Sequence, residues 1–431
     1  MEKPAEAAAV TDQKMKNRYL TLALLTSILH ARGQDSTYRH QRIARTDIEV
    51  LFGYYTQDGN HSAITGGTGT EKLRVYSPEF TITHYRDSAH TLTLNGGVDI
   101  ISSASMDNID FIMSSASRLS ARTHGSAAYS WKLRRSNTRI AVQSGLSVES
   151  AYLSLPLGAS IEHSNPSGSQ EWKASLECFF DDLRYGWISK EYFRPIGLIY
   201  PAELRDTNWF PNYRRNSYNF SFSFYQAINP RMQIAFFPEF VYQKGLLSTS
   251  YHRVYFTGSR FTDRVEKLPA ERWKLPLAVQ LNTFAGSRTI IRWYYRFYHD
   301  ELGITAHTLQ LEVPVKIHPE FSLAPLVRFY TQTAARYFAP YHEHELKETF
   351  YTSDYDLSRF DSYKAGLTLR YAPQRPMSPR YTFNALSLRY AWYKRSDGLA
   401  AHILTLLLEL EHSRSHPLHE GFDRKGINHS D

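Results

Sequence analysis

Between Asp47 and Glu411 the chain is dominated by strict alternation of apolar and polar residues. Leu92, Leu94, Gly96, Val98 and Ile100 alternate with Thr91, Thr93, Asn95, Gly97 and Asp99, and Tyr218, Phe220, Phe222 and Phe224 alternate with Asn219, Ser221 and Ser223. The same holds for Ile291, Trp293, Tyr295 and Phe297 against Arg292, Tyr294, Arg296 and Tyr298, and for Leu404, Leu406, Leu408 and Leu410 against Thr405, Glu409 and Glu411. A period of two predicts strands whose two faces meet different surroundings. Ordinary strands run about 5 or 6 residues, whereas these runs match the roughly 9 to 11 needed to cross a bilayer at a tilt.

The links between runs fall into two kinds. Tight turns are expected at Arg86-Asp87-Ser88, Ser136-Asn137, Asn165-Pro166-Ser167-Gly168, Asn229-Pro230, Ala285-Gly286-Ser287 and His318-Pro319, where the residue types carry turn chemistry. Longer links separate them, at 57–70, 102–117, 182–215, 244–270 and 336–359. Short turns on one rim and long loops on the other are the asymmetry of an outer-membrane barrel. The expected fold is therefore all-β: a transmembrane antiparallel up-and-down β-barrel of about sixteen strands, within a span of fourteen to eighteen, closed so that no backbone edge meets lipid.

At the N-terminus, Lys14, Lys16 and Arg18 precede the apolar run Tyr19 to Leu29, which ends in Ala31-Arg32-Gly33. A cleaved signal peptide over 1–33 accounts for this pattern, because the apolar run is too short to span a bilayer. The mature chain is expected to start near Gln34, with a periplasmic segment at 34–42, the barrel at 43–411 and a polar tail at 412–431. An even strand count places both ends in the periplasm and the long loops outside the cell.

Composition changes this picture little. Aromatic residues make up 14% of the 431 residues, with 30 Tyr, and Tyr suits a boundary between water and lipid. The net charge of +8 comes from Lys and Arg scattered along the chain, with no module that would hold nucleic acid. Cys178 is the sole cysteine, so no intramolecular disulfide forms.

Inward-facing positions of the alternation include Glu49, Asp99, Glu177, Glu239, Arg292, Arg296, Glu312 and Arg389, together with Lys173, Lys274, Lys316, Lys364 and Arg370. These charges simply keep the inner wall hydrated, line a solvated and selective passage, or cross-link the interior into a closed ion-pair network. In the loops, Asp58 with His61, Asp107 with Asp110, Asp181 with Asp182, and Asp354 with Asp356 are candidates for binding a hard cation such as Ca²⁺ beside lipopolysaccharide. Turn-forming carboxylates in solvated loops are the competing explanation. His342-Glu343-His344-Glu345 is expected to be a solvated loop rather than a metal site, and Gly66-Gly67-Thr68-Gly69-Thr70 a flexible loop tip rather than a phosphate cradle. No catalytic residue, metal ligand or cofactor is assigned. A lipid hydrolase would need a Ser and a His on one strand face near the rim; His307 with Ser387 is the pair to consider.

Several stretches carry a family resemblance. Gln57 to Ala63 followed by Gly66 to Glu71, Ser102 to Asp110, Phe180-Asp181-Asp182-Leu183-Arg184, Tyr200 to Arg205, Tyr213 to Tyr218, Gly245 to Thr249, Tyr351 to Asp356 and Lys394 to Gly398 resemble the bacterial family catalogued as domain of unknown function 3570. The resemblance runs from about residue 45 to 410. It implies an outer-membrane barrel of a kind common in Bacteroidota, without an established activity and so without a catalytic residue to carry over. It also implies an envelope setting shared with small lipoproteins and with flavin-transferring or thioredoxin-like proteins. The expected function is non-enzymatic: a channel or transporter for a solute, or the membrane scaffold of a multi-protein envelope complex, in contact with outer-membrane lipids and lipopolysaccharide.

Overall fold

A computed structural model describes residues 45–103, 119–149, 152–183, 214–249, 252–258, 263–373, 375–378 and 380–413. The expected signal peptide, the expected periplasmic segment 34–42 and the tail beyond Ser413 lie outside these residues. So do Asp107 and Asp110.

Twenty strand segments follow in order: β1 (Arg45–Asp58), β2 (Leu73–Tyr85), β3 (His90–Ser103), β4 (Leu119–Lys132), β5 (Thr138–Glu149), β6 (Tyr152–Ser164), β7 (Gln170–Asp182), β8 (Arg214–Asn229), β9 (Met232–Gly245), β10 (Arg253–Tyr255), β11 (Asp263–Val265), β12 (Glu271–Ala285), β13 (Thr289–Asp300), β14 (Thr305–Glu312), β15 (Val315–His318), β16 (Phe321–Gln332), β17 (Phe360–Tyr371), β18 (Arg375–Ser378), β19 (Tyr381–Arg395) and β20 (Ala400–Ser413). All but β10 and β11 belong to one antiparallel sheet, in which each stave pairs with the staves before and after it along the chain. Segments β14 and β15 are one stave broken at Val313-Pro314, where Pro has no N–H for the ladder. Segments β17 and β18 are likewise one stave, since both pair with β19. The last stave returns to the first, with Arg45 opposite Ser413 and Asp58 opposite Ala400. The result is a closed barrel of sixteen staves.

The alternation read from sequence sorts the wall into an apolar outside and a polar inside. Val50, Phe52, Phe80, Leu94, Leu157, Phe220, Trp293, Leu309, Val327 and Leu388 are large apolar residues left exposed, as they must be where the surroundings are acyl chains rather than water. Near the rims this outer face carries Tyr–His pairs. The Tyr129 hydroxyl lies 2.9 Å from His90 Nδ1, and Tyr295 and Tyr390 lie 2.8 Å from His307 and His402. Amphipathic rings of this kind suit the headgroup level.

The expected turns fall where the sequence places them, on the rim shared with both ends of the sheet. The strand ends flanking 59–72, 104–118, 150–151, 183–213, 246–270, 301–304, 333–359 and 396–399 all lie at the opposite rim.

Candidate functional site

Two regions carry chemistry: the inner wall and a layer of loops at one mouth. Every charge assigned inward by the alternation sits on the face opposite the exposed apolar residues of its stave. Most are tied. Arg122 reaches Asp99 at 3.5 Å, Arg292 reaches Glu312 at 3.3 Å and Arg296 approaches Glu239 at 3.9 Å. The Gln143 amide donates to Glu177 at 2.6 Å. Arg370 grips Glu409 with two hydrogen bonds of 2.5 and 2.7 Å, in the field of Glu49. Arg272 pairs with the fully buried Asp300. Arg389 differs, since its Nε donates to the neutral Thr368 hydroxyl at 3.0 Å.

The charges are also unevenly distributed around the wall. From β12 to β19 the inner face carries Arg272, Lys274, Arg292, Arg296, Lys316, Arg328, Lys364, Arg370, Arg389 and Arg395 against the acids Asp300 and Glu312. From β20 through β3 it carries Asp47, Glu49, Glu79, Asp99, Glu409 and Glu411, with Arg45 as the facing cation. A wall with basic and acidic sectors sets up a field across the interior between them.

The loop layer is built like a small soluble core. Strands β10 and β11 form a hairpin inside the loop 246–270, and isolated bridges tie Phe256 to His344, Lys267 to Tyr351 and Phe338 to Thr352. Val254, Phe256 and Tyr351 pack together at 0, 0 and 1% exposure. Leu302, Ile304 and Ala335 form a second cluster, with Tyr298, Tyr337, Phe338 and Leu357 against it. Where β9 leaves the wall, Gly245 has φ +120° and a Cβ there would lie 2.0 Å from the Arg214 carbonyl oxygen, so only glycine fits.

The layer is anchored to the loop-rim ends of particular staves. The Gln332 amide donates to the carbonyls of Ser358 at 2.6 Å and Asp356 at 3.0 Å. Arg395 donates to the Tyr355 carbonyl at 2.7 Å and pairs with both Asp356 and Asp397 at 2.5 Å, its guanidinium lying 3.8 Å from the Phe360 ring centre. Gln57 of β1 donates to the Glu71 carbonyl. Gln332 on β16 and Arg395 on β19 hold the layer at the mouth of the basic sector, while Gln57 ties the loop 59–72 to β1 in the acidic sector.

Within the layer, the β10–β11 register sets His252 against Glu266, and the loop 333–359 brings in Asp354. His252 Nδ1 lies 2.8 Å from Glu266 Oε2 and 3.7 Å from Asp354 Oδ2. The Thr352 hydroxyl and the Thr249 amide also donate to Glu266, which is 2% exposed. The three donor atoms all lie within 4.8 Å, close enough for one cation to touch each of them. The His252–Glu266 hydrogen bond also satisfies both groups without one. Burial pushes Asp354 up to about 6 from its ordinary 3.8, against the pull of His252. For His252, burial opposes the charge, but the carboxylates of Glu266 and Asp354 outweigh it and raise the imidazole above its ordinary range. Sequence reading missed His252 and Glu266. The one available signal was Gly258, whose φ of +77° belongs to the turn of a hairpin that puts them opposite each other.

Several expectations are corrected. Asp181 and Asp182 are not loop residues but end β7, where Asp181 faces inward and pairs with Arg215 at 2.8 Å. Asp354 and Asp356 do not act as a pair, because a 3-10 turn at Tyr355–Leu357 sends Asp354 towards His252 and Asp356 towards Arg395. His344 is not solvated: it is 1% exposed, with Nε2 2.9 Å from the Thr352 carbonyl and Nδ1 2.6 Å from Glu348. Gly66 and Gly67 are buried in a compact turn, where a Cβ on Gly66 would lie 2.4 Å from the Tyr255 ring. His61 stacks on Tyr355 with ring centroids 3.8 Å apart, while Asp58 stays exposed with Lys72 3.7 Å away. His307 lies on the outer face beside Tyr295 and Ser387 on the inner face beside Arg370, so they form no nucleophile–base pair.

The family model described as Protein of unknown function (DUF3570) matches residues 114–401. No curated protein matches the sequence. Among solved structures the chain is similar to a bacterial polysaccharide outer membrane secretin, at 8% identity and TM-score 0.45 over 85% of this chain and 98% of that one. It is also similar to Acinetobacter baumannii OccAB1, at 9% identity and TM-score 0.42 over 88% and 100%, and to Pseudomonas aeruginosa OccK1 (OpdK), at 8% identity and TM-score 0.40 over 86% and 98%.

Proposed function

Because this chain belongs to the DUF3570 family, whose fold here is a closed transmembrane barrel, we propose that it is an outer-membrane channel of a Gram-negative envelope. It passes a small polar solute, with the loop layer outside the cell and both ends of the sheet on the periplasmic side. The observation that carries this reading is the division of one wall into an apolar exterior and an ionisable interior. An Arg or Lys on the lipid face costs about 2 to 4 kcal/mol at mid-depth, so the charges of β12 to β19 are tolerated only against water. At sixteen staves a barrel has room for a water column. The loop layer then acts as a filter at the mouth of the basic sector, held by Gln332 and Arg395.

Purified protein in planar bilayers tests this: single-channel steps are expected, and a barrel that inserts without conducting overturns it. One observation favours a second reading, an envelope scaffold, because a loop layer with its own core, such as Val254, Phe256 and Tyr351, presents a stable outer surface to partner proteins. Non-conducting barrels that co-purify with stoichiometric lipoproteins would support it.

A further inference from the structure

Of the cations in the basic sector, Arg272, Arg292, Arg370 and Arg395 each meet a carboxylate at 3.3 Å or less. Arg328, Lys364 and Arg389 form no ion pair among the described residues. Arg328 stands directly opposite Lys364 in the β16–β17 ladder, an arrangement of like charges that destabilises a sheet unless something lies between them. The charges acting on Lys364 are those of Arg328 and Arg389. Both guanidinium groups are held through Nε alone, Arg328 by the Gln310 side-chain carbonyl at 2.8 Å and Arg389 by the Thr368 hydroxyl at 3.0 Å. This grip engages one nitrogen of each fork, and the terminal N–H groups make no hydrogen bond or ion pair among the described residues. Anchoring by neutral partners holds the charge in place without cancelling it.

We propose that Arg328, Lys364 and Arg389 form a track for small anions along one side of the inner wall. The inference rests on the channel reading and names the solute class. An anion between the three cations relieves their mutual repulsion, and guanidinium forks suit planar oxyanions such as carboxylates. Cation rings of this type are what confers anion preference on a pore. The tied cations do not contribute equally, because each is cancelled by its own carboxylate.

The test is the zero-current potential of the full-length barrel in a potassium chloride gradient across a planar bilayer. Wild type is expected to prefer chloride. Arg328→Gln, Lys364→Gln and Arg389→Gln should each reduce the chloride-to-potassium permeability ratio, and the triple variant should lower it several-fold. Arg292→Gln, which frees Glu312 instead, serves as the comparison for a tied cation and should shift the ratio less than the triple variant. Folding of each variant is checked by its gel mobility before and after heating. An open wild-type barrel that prefers potassium, or a folded triple variant with unchanged selectivity, overturns the track while leaving the channel standing. A silent wild-type barrel removes the channel and the track with it.

Discussion

The wall and the loop layer of this protein are stabilised in opposite ways. In the wall, the fully enclosed apolar residues are small, such as Ala235, Ala385, Ala391 and Ala401, while Leu157, Phe220 and Leu309 stay exposed. In the loop layer the order reverses: Phe256, Leu302 and Tyr351 are buried to 1% exposure or less. The wall is held by its closed hydrogen-bond ladder and by the lipid its outer face demands. The layer is held by conventional packing, so the two regions should fail independently.

The sharpest way to break that comparison is to hollow out the layer. Phe256→Ala removes a fully buried ring and should cost the layer about 3 to 5 kcal/mol. Protease cleavage between 246 and 270 should rise steeply while the heat-modifiable barrel band persists. Concerted loss of both would mean a single cooperative unit. Next in size, Leu157→Arg on the outer face of β6 should cost about 2 to 4 kcal/mol in urea unfolding from vesicles. Ser160→Arg, on the inner face of the same stave, should cost far less; equal penalties would reverse the assignment of faces.

A smaller effect follows from pH. His252 is raised above 6.5 and Asp354 rises from 3.8 to about 6. A raised pKa gives stability that is complete below the unfolded value and lost as pH climbs through the folded one. Protease resistance of the layer should therefore fall as pH rises from about 4 through about 6, and again beyond the ordinary histidine range. Glu266→Gln should remove the second step, and a layer that tightens with rising pH would contradict this. The smallest effect belongs to Lys72→Ala, whose partner Asp58 is 65% exposed. Its loss should change urea unfolding by less than about 0.5 kcal/mol.

The same division explains what was legible in the sequence. A stave faces lipid on one side along its whole length, so local alternation is enough to place Asp99, Glu177, Arg292 and Arg389 inward. Loop contacts have no such period. Glu266 meets Thr352, and His344 meets Phe256, across nearly ninety positions of chain, and nothing local in His342 to Glu345 distinguishes a buried imidazole from a wet one. Asp181 was misread for a related reason: its neighbours look like loop chemistry, whereas its parity on β7 and its bond to Arg215 belong to the wall. The difference between tied and free cations was equally hidden, because it depends on what stands across the ladder from each.

The seam between β1 and β20 joins Arg45 to Ser413. Until the final stave arrives, the nascent sheet has two unsatisfied borders, each a template for wrong pairing. Because β20 is synthesised after every other described stave, the zipper cannot close until that stave has been made.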